Sequence, residues 1–116
     1  MKVLIAEDDD LIRKGLAEIL ETEGYEVRSA GHGEEALRML RAARACVVVL
    51  DIFMPVMNGF EFLKEKARDP ALAALPVVAV SADATAAREA AREGATAALT
   101  KPVDHDRLLQ IIRRFC

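Results

Sequence analysis

The chain has 116 residues, of which 53% are hydrophobic and 30% charged, and a formal net charge of −3. This length and balance predict one globular domain spanning residues 1–116 and exclude a disordered chain, and the negative charge does not favour nucleic acid as a direct ligand. No apolar run approaches the roughly 20 residues of a membrane-spanning helix, and the acidic N-terminal segment is no signal peptide, so we expect a cytoplasmic protein.

Five short apolar segments, spaced along the chain, are predicted to be strands. They are Val3–Ala6, Tyr25–Ala30, Cys46–Leu50, Val77–Val80 and Ala95–Leu99. Four of them are nearly continuous in apolar residues, which is typical of strands covered on both faces. The segments therefore predict a parallel sheet flanked by helices.

An amphipathic stretch follows each strand and predicts a helix. The five stretches are Leu11–Thr22, Glu34–Ala43, Met57–Arg68, Ala84–Arg92 and Asp104–Arg114. Because crossovers between parallel strands are right-handed, this alternation predicts a three-layer, doubly wound α/β domain. Gly15 lies inside the first helix at a cost of about 1 kcal/mol relative to alanine. We expect it to permit close packing and assign it no function.

Acidic residues follow or end the strands that should lie in the middle of the sheet. Glu7 and Asp8 come directly after the first strand, and Asp51 comes at the end of the third. Their carboxylates should converge at one sheet edge, where like charges require raised pKa values or a cation. Since every donor is an oxygen, Mg²⁺ is expected, with Mn²⁺ as an alternative. Asp9 and Asp10 are expected to cap the first helix.

The last two strands are followed by a hydroxyl and an amine. Ser81 comes after the fourth strand, and Lys101 follows the fifth. A serine here is often only a helix cap, and a Lys-Pro pair is often only a turn. Together with a carboxylate and Mg²⁺, however, they supply the donors that phosphoryl transfer needs.

With these residues and the segment Asp51-Ile-Phe-Met-Pro-Val-Met-Asn-Gly59, the whole chain resembles the receiver domain of two-component response regulators. The resemblance implies a flavodoxin-like sheet of order 2-1-3-4-5. It also implies that Asp51 accepts a phosphoryl group from a phosphohistidine. The donor would be a sensor histidine kinase or a histidine phosphotransfer protein, and phosphorylation would switch the binding of a downstream protein target. Such a domain catalyses only its own phosphorylation and dephosphorylation.

The same resemblance implies a role for each residue at the sheet edge. Asp8 and Asp51 would bind Mg²⁺ directly, Glu7 through water, and Phe53 through its backbone carbonyl. Ser81 and Lys101 would bind the phosphoryl oxygens, with the Lys101–Pro102 peptide in the cis form.

Three positions bear on the lifetime of the phosphoryl group and on the output. By the resemblance, Phe53 and Asp83 tune dephosphorylation, and a bulky Phe53 should slow it. Ala98 stands where the family usually has an aromatic residue that takes part in the switch. We therefore expect the output to depend on Ser81 and its loop, or on another surface.

Two other functions share parts of this pattern. A receiver-like interaction module that is never phosphorylated would have the same fold, but it need not keep the acidic cluster together with Ser81 and Lys101. An aspartate-dependent phosphatase is disfavoured because Leu11 and Ile12 replace the hydroxyl that usually follows its acidic start. Whether the chain acts alone or within a longer regulator is left open.

Neither cysteine has a spacing typical of a zinc site or a disulfide framework. We expect Cys46 to be a buried thiol and Cys116 to be exposed. His32, between two glycines, is expected in an exposed turn.

Overall fold

A computed structural model of the chain describes residues 2–116, which form five strands and five helices in strict alternation. The strands are β1 (Lys2–Ala6), β2 (Glu26–Ala30), β3 (Val47–Asp51), β4 (Val77–Ser81) and β5 (Ala97–Thr100). The helices are α1 (Asp10–Thr22), α2 (Gly33–Ala42), α3 (Gly59–Arg68), α4 (Ala84–Arg92) and α5 (His105–Arg113). All ten elements were predicted.

The five strands form one parallel sheet of order β2-β1-β3-β4-β5, which confirms the predicted flavodoxin-like fold. Neighbouring side chains along each strand point to opposite faces, so the sheet has a separate core on each side. One core contains Val49 and Leu16, under α1 and α5. The other contains Leu50 and Phe62, under α2, α3 and α4. Within the described residues, no helix is long and apolar enough to span a membrane.

Several element boundaries differ from the predicted ones. Strands β3 and β4 extend one residue further than predicted, so that Asp51 and Ser81 are their last residues. Helix α3 begins at Gly59, two residues later than predicted, because the side chain of Asn58 accepts the amide of Glu61 in a capping box. His32 is partly buried and caps α2, since its Nδ1 accepts the amide of Glu35 at 3.2 Å.

The two cysteines form a disulfide, so the prediction of a buried thiol and an exposed terminus is wrong. Cys46, just before β3, is bonded to Cys116, with a Cα–Cα distance of 5.5 Å. Helix α5 runs antiparallel to the strands and therefore returns the end of the chain to the edge where β3 begins. The two residues are 70 positions apart in sequence, which is why no local pattern indicated the pairing.

The two glycines Gly15 and Gly59 have opposite packing environments. A Cβ added at Gly15 would meet nothing within 4 Å, so close packing does not explain this glycine. A Cβ added at Gly59 would lie 2.8 Å from the backbone Cα of Ile52, directly behind Asp51. The start of α3 can approach the end of β3 this closely only because residue 59 has no side chain.

We expect Gly59→Ala to lower the free energy of unfolding by about 2 kcal/mol, because backbone atoms must shift to admit the methyl group. Gly15→Ala is the matched control and should raise it by about 1 kcal/mol through helix propensity. Urea unfolding followed by circular dichroism measures both. Equal stabilities of Gly59→Ala and the wild type would contradict the close approach.

Candidate functional site

Three carboxylates meet at the carboxyl ends of β1 and β3. Glu7, Asp8 and Asp51 each offer an oxygen, and these oxygens all lie within 4.8 Å of one another. The register that pairs Ala6 with Leu50 brings the two strand ends side by side. Glu7 and Asp51 are only 2% and 6% exposed, whereas Asp8 is open to solvent. The cluster is therefore partly shielded from water but can be reached from one side.

Lys101 provides the positive charge at this cluster. Its Nζ lies 2.9 Å from Oε1 of Glu7 and 3.5 Å from Oδ1 of Asp51. The Lys101 amide donates to the carbonyl of Ser81 at 2.8 Å, which anchors the segment after β5 to the end of β4. The peptide between Lys101 and Pro102 is cis, as the resemblance implied.

The environment of the cluster changes two pKa values. Burial and the neighbouring carboxyl of Glu7 together raise the pKa of Asp51 to about 7, because they outweigh the charge of Lys101, which lowers it. Burial alone would lower the pKa of Lys101, but the hydrogen bond to Glu7 and the charge of Asp51 outweigh it and raise that pKa. Lys101 is therefore charged at neutral pH, while Asp51 without a cation is only partly ionised.

Ser81 lies beside the cluster, but its hydroxyl is engaged elsewhere. The residue is fully buried, and its Oγ accepts the amide of Asp83 at 3.1 Å. Asp83 in turn caps α4. Among the described residues, no hydrogen bond joins the Ser81 hydroxyl to the side chains of Glu7, Asp51 or Lys101. Since a hydroxyl that accepts one hydrogen bond can still donate another, Ser81 keeps a proton to offer.

Phe53 and Ala98 are the remaining positions that the resemblance singled out. Phe53, two residues after Asp51, is 58% exposed. Ala98 is partly buried against the core under α4, and β5 itself (Ala97–Thr100) contains no aromatic residue.

Sequence reasoning missed Arg13, whose Nη1 donates to the carbonyl of Glu7 at 2.8 Å and so holds the loop between β1 and α1. A basic residue on the polar face of an amphipathic helix carries no signal of such a contact.

The sequence model described as the response regulator receiver domain matches residues 3–113. The chain belongs to this family. The receiver domain is 34% identical to the protein PilH of Pseudomonas aeruginosa, covering 96% of this chain and 93% of PilH.

Two other relatives differ in length. The chemotaxis protein CheY4 of Vibrio cholerae superposes with a TM-score of 0.88 at 34% identity, covering 99% of this chain and 98% of that one. The transcriptional regulatory protein CrdR of Helicobacter pylori is 36% identical over 98% of this chain, but the receiver domain spans only 54% of CrdR. Relatives of this domain thus include chains of similar length and much longer ones.

The donor set of the receiver domain fits a hard divalent cation. All three clustered side chains offer carboxylate oxygens, and within residues 2–116 no sulfur or imidazole ligand joins the cluster. Among these residues, the three carboxylates face a single ammonium group, that of Lys101. A divalent ion would balance the excess negative charge and favour the ionised form of Asp51.

The raised pKa of Asp51 predicts opposite pH dependences for stability and for metal binding. A carboxyl whose pKa is higher in the folded state stabilises the metal-free domain at low pH, and this contribution is lost as the pH rises through about 7. Mg²⁺ must displace that proton, so its affinity should rise about tenfold between about pH 6 and pH 8. Calorimetric titration measures the affinity, and Asp51→Asn should remove this dependence. An affinity of the wild type that does not change with pH would contradict the assignment.

Proposed function

We propose that this receiver domain is phosphorylated on Asp51 in a Mg²⁺-dependent transfer. The donor is the phosphohistidine of a sensor histidine kinase or a histidine phosphotransfer protein, and the product binds a downstream protein in the cytoplasm. The observation that supports this most is the location of Asp51. It is 6% exposed, ends a central strand, and has Lys101 Nζ 3.5 Å from its carboxylate and two further carboxylates beside it.

In the transfer, an oxygen of the ionised Asp51 attacks phosphorus in line with the bond to the imidazole nitrogen. That P–N bond breaks, and the imidazole leaves neutral with the bonding electron pair because its other nitrogen already carries a proton. When bound, Mg²⁺ supplies positive charge next to the carboxylates and the phosphoryl oxygens. Asp8, Asp51 and the carbonyl of Phe53 would hold the ion directly, and Glu7 would hold it through water.

Lys101 and Ser81 are proposed to bind the phosphoryl group as it arrives. The ammonium of Lys101 is already between Glu7 and Asp51, so a small displacement lets it contact an oxygen of the product. The Ser81 hydroxyl has a proton to donate, and its link to Asp83 connects it to the start of α4. Movement of Ser81 would therefore shift the loop before α4. We propose that this shift is the readout, in place of an aromatic residue at position 98.

The experiment that tests the proposal uses a small phosphodonor. The chain is incubated with acetyl phosphate, with Mg²⁺ or with a chelator, and its intact mass is measured. We expect one added phosphoryl group on the wild type, only with Mg²⁺, and its removal by hydroxylamine as for an acyl phosphate. Asp51→Asn should gain no mass. Asp104→Asn is the matched control, since asparagine also caps α5 well, and it should behave like the wild type.

Two results would overturn the proposal. Added mass on Asp51→Asn would place the phosphoryl group on another residue. No added mass on the wild type with any phosphohistidine or small-molecule donor would favour the interaction module that is never phosphorylated.

Phe53 should prolong the life of the phosphorylated state. Its exposed ring lies two residues after Asp51, where it hinders the approach of water to phosphorus. Phe53→Asn is therefore expected to speed loss of the phosphoryl group several-fold, measured by intact mass over time after removal of the donor.

The control for this prediction is Val56→Asn on the same loop. Val56 is also exposed but has a φ of 66°, which asparagine tolerates better than a β-branched residue. Val56→Asn should leave the rate of dephosphorylation unchanged. Equal rates for the wild type and Phe53→Asn would show that the ring does not hinder water.

A further inference from the structure

A cavity of about 550 Å³ opens beside the carboxylate cluster, between α1 and the segment that joins β5 to α5. The buried strand residues Ile5, Val49 and Val80 form its floor. Apolar side chains of α1 and Val103 form its walls, and Glu7, Asp51 and Lys101 lie at one end. This volume is within the range of about 300–1,000 Å³ that is typical of small-molecule sites.

Gly15 keeps the cavity open. It lines the cavity from the middle of α1, and a Cβ at this position would meet nothing within 4 Å. Glycine is not required here by a left-handed backbone, since the described glycines with positive φ are Gly24 and Gly94. The helix therefore carries a residue of low helix propensity where a larger apolar side chain would fill the space and stabilise the helix.

The polar end of the cavity selects the charge of a ligand. The carboxylates of Glu7 and Asp51 line this end, that of Asp8 lies beside them, and the ammonium group of Lys101 contacts Glu7 and Asp51. The excess of negative charge attracts a cation and repels an anion. Away from this end, the walls are apolar except for His105 at the start of α5, and they favour a hydrocarbon body.

We propose that this cavity binds a small organic cation, with its ammonium or amidinium group against Glu7 and Asp51 and its apolar body between α1 and Val103. The cationic group takes the position where a metal ion would balance the carboxylates, so the ligand and Mg²⁺ exclude each other. The binding itself follows from the cavity. Its consequence, that such a cation inhibits phosphorylation, rests on the proposed function of Asp51.

Phenethylamine, phenethyl alcohol and phenylpropanoate are suitable probes because they share a phenyl body and differ in charge. Their binding is measured by amide shifts of the full chain in NMR titrations. We expect saturable binding of the amine, with the largest shifts around Gly15, Leu16 and Val103. The alcohol should bind at least about tenfold more weakly and the carboxylate not detectably. Saturating Mg²⁺ should raise the apparent dissociation constant of the amine about tenfold or more.

Two substitutions of one residue separate the cavity from helix stability. Gly15→Leu should fill the cavity and abolish binding of the amine, while the melting temperature stays equal or rises. Gly15→Ala should stabilise the helix in the same way but leave room for the ligand, so it should bind the amine like the wild type. Dispersed NMR spectra of both variants verify that they are folded.

Four results would overturn the proposal: no saturable binding of the amine, equal binding of the alcohol, undiminished binding to Gly15→Leu, or no competition with Mg²⁺. None of these concerns the mass gained from acetyl phosphate, so failure of the ligand site is distinguishable from failure of the phosphorylation site. Conversely, if the amine binds but the chain cannot be phosphorylated, the cavity is still a ligand site. Only the proposed inhibition of phosphorylation is then wrong.

Discussion

Lys101→Met is expected to lower the rate of phosphorylation by acetyl phosphate by about 100-fold, the loss typical of removing one donor to the transition state. The substitution keeps the length of the side chain and removes its charge. Two effects act together. The phosphoryl oxygens lose the ammonium group, and Asp51 loses the one contact that lowers its pKa, so less of it is ionised at neutral pH.

The rate is measured by intact mass against time at fixed Mg²⁺ concentration and pH. Lys64→Met is the control, because Lys64 is an exposed lysine on α3 and should react at the wild-type rate. If ionisation of Asp51 contributes as proposed, raising the pH should restore part of the activity of Lys101→Met. A rate within a factor of about two of the wild type would exclude Lys101 from the reaction.

Reducing the disulfide between Cys46 and Cys116 is expected to lower the free energy of unfolding by about 2–4 kcal/mol. The bond closes a loop between residues 70 apart, and it restricts the unfolded chain more than the folded one. The disulfide stabilises the domain only under oxidising conditions, because a reducing compartment keeps both cysteines as free thiols. Denaturant unfolding with and without dithiothreitol measures it.

Cys116→Ser provides the control for the disulfide. This variant should unfold at the same denaturant concentration with and without reductant, and it should match the reduced wild type. Cys46 lies at the opposite end of β3 from Asp51, so phosphorylation should be the same for both redox forms. Identical unfolding curves of the oxidised and reduced wild type would contradict the predicted contribution.

The order of elements could be predicted because apolar runs and amphipathic stretches are local patterns. The apolar run Val77–Val80 indicates a buried strand, and the spacing of apolar residues in α1 indicates an amphipathic helix, each within a few residues. Boundaries were less accurate where a side chain decides them. The predicted start of α3 was two residues too early. The capping box of Asn58 and Glu61 sets the true start, and whether it forms depends on the conformation of the loop before α3.

The members of the site could be predicted because parallel strands share one edge. The places of Glu7, Asp8, Asp51 and Lys101 along the chain were sufficient to bring them together. The hydrogen-bond partner of each group could not be predicted in this way. Lys101 lies closer to Glu7 than to Asp51, and Ser81 accepts the amide of Asp83. Both contacts depend on distances of a few tenths of an ångström.

By itself, the sequence determined the fold class and the place of the carboxylate cluster, and it predicted a phosphoacceptor and a hard cation there, because each depends on residue types at fixed places along strands. Only the tertiary structure decided the pairing of Cys46 with Cys116, the contact of Arg13 with the loop after β1, and the cavity beside Gly15. These features join residues that are distant in sequence or on different elements. They depend on how helices pack against the sheet, which no local pattern in the chain records.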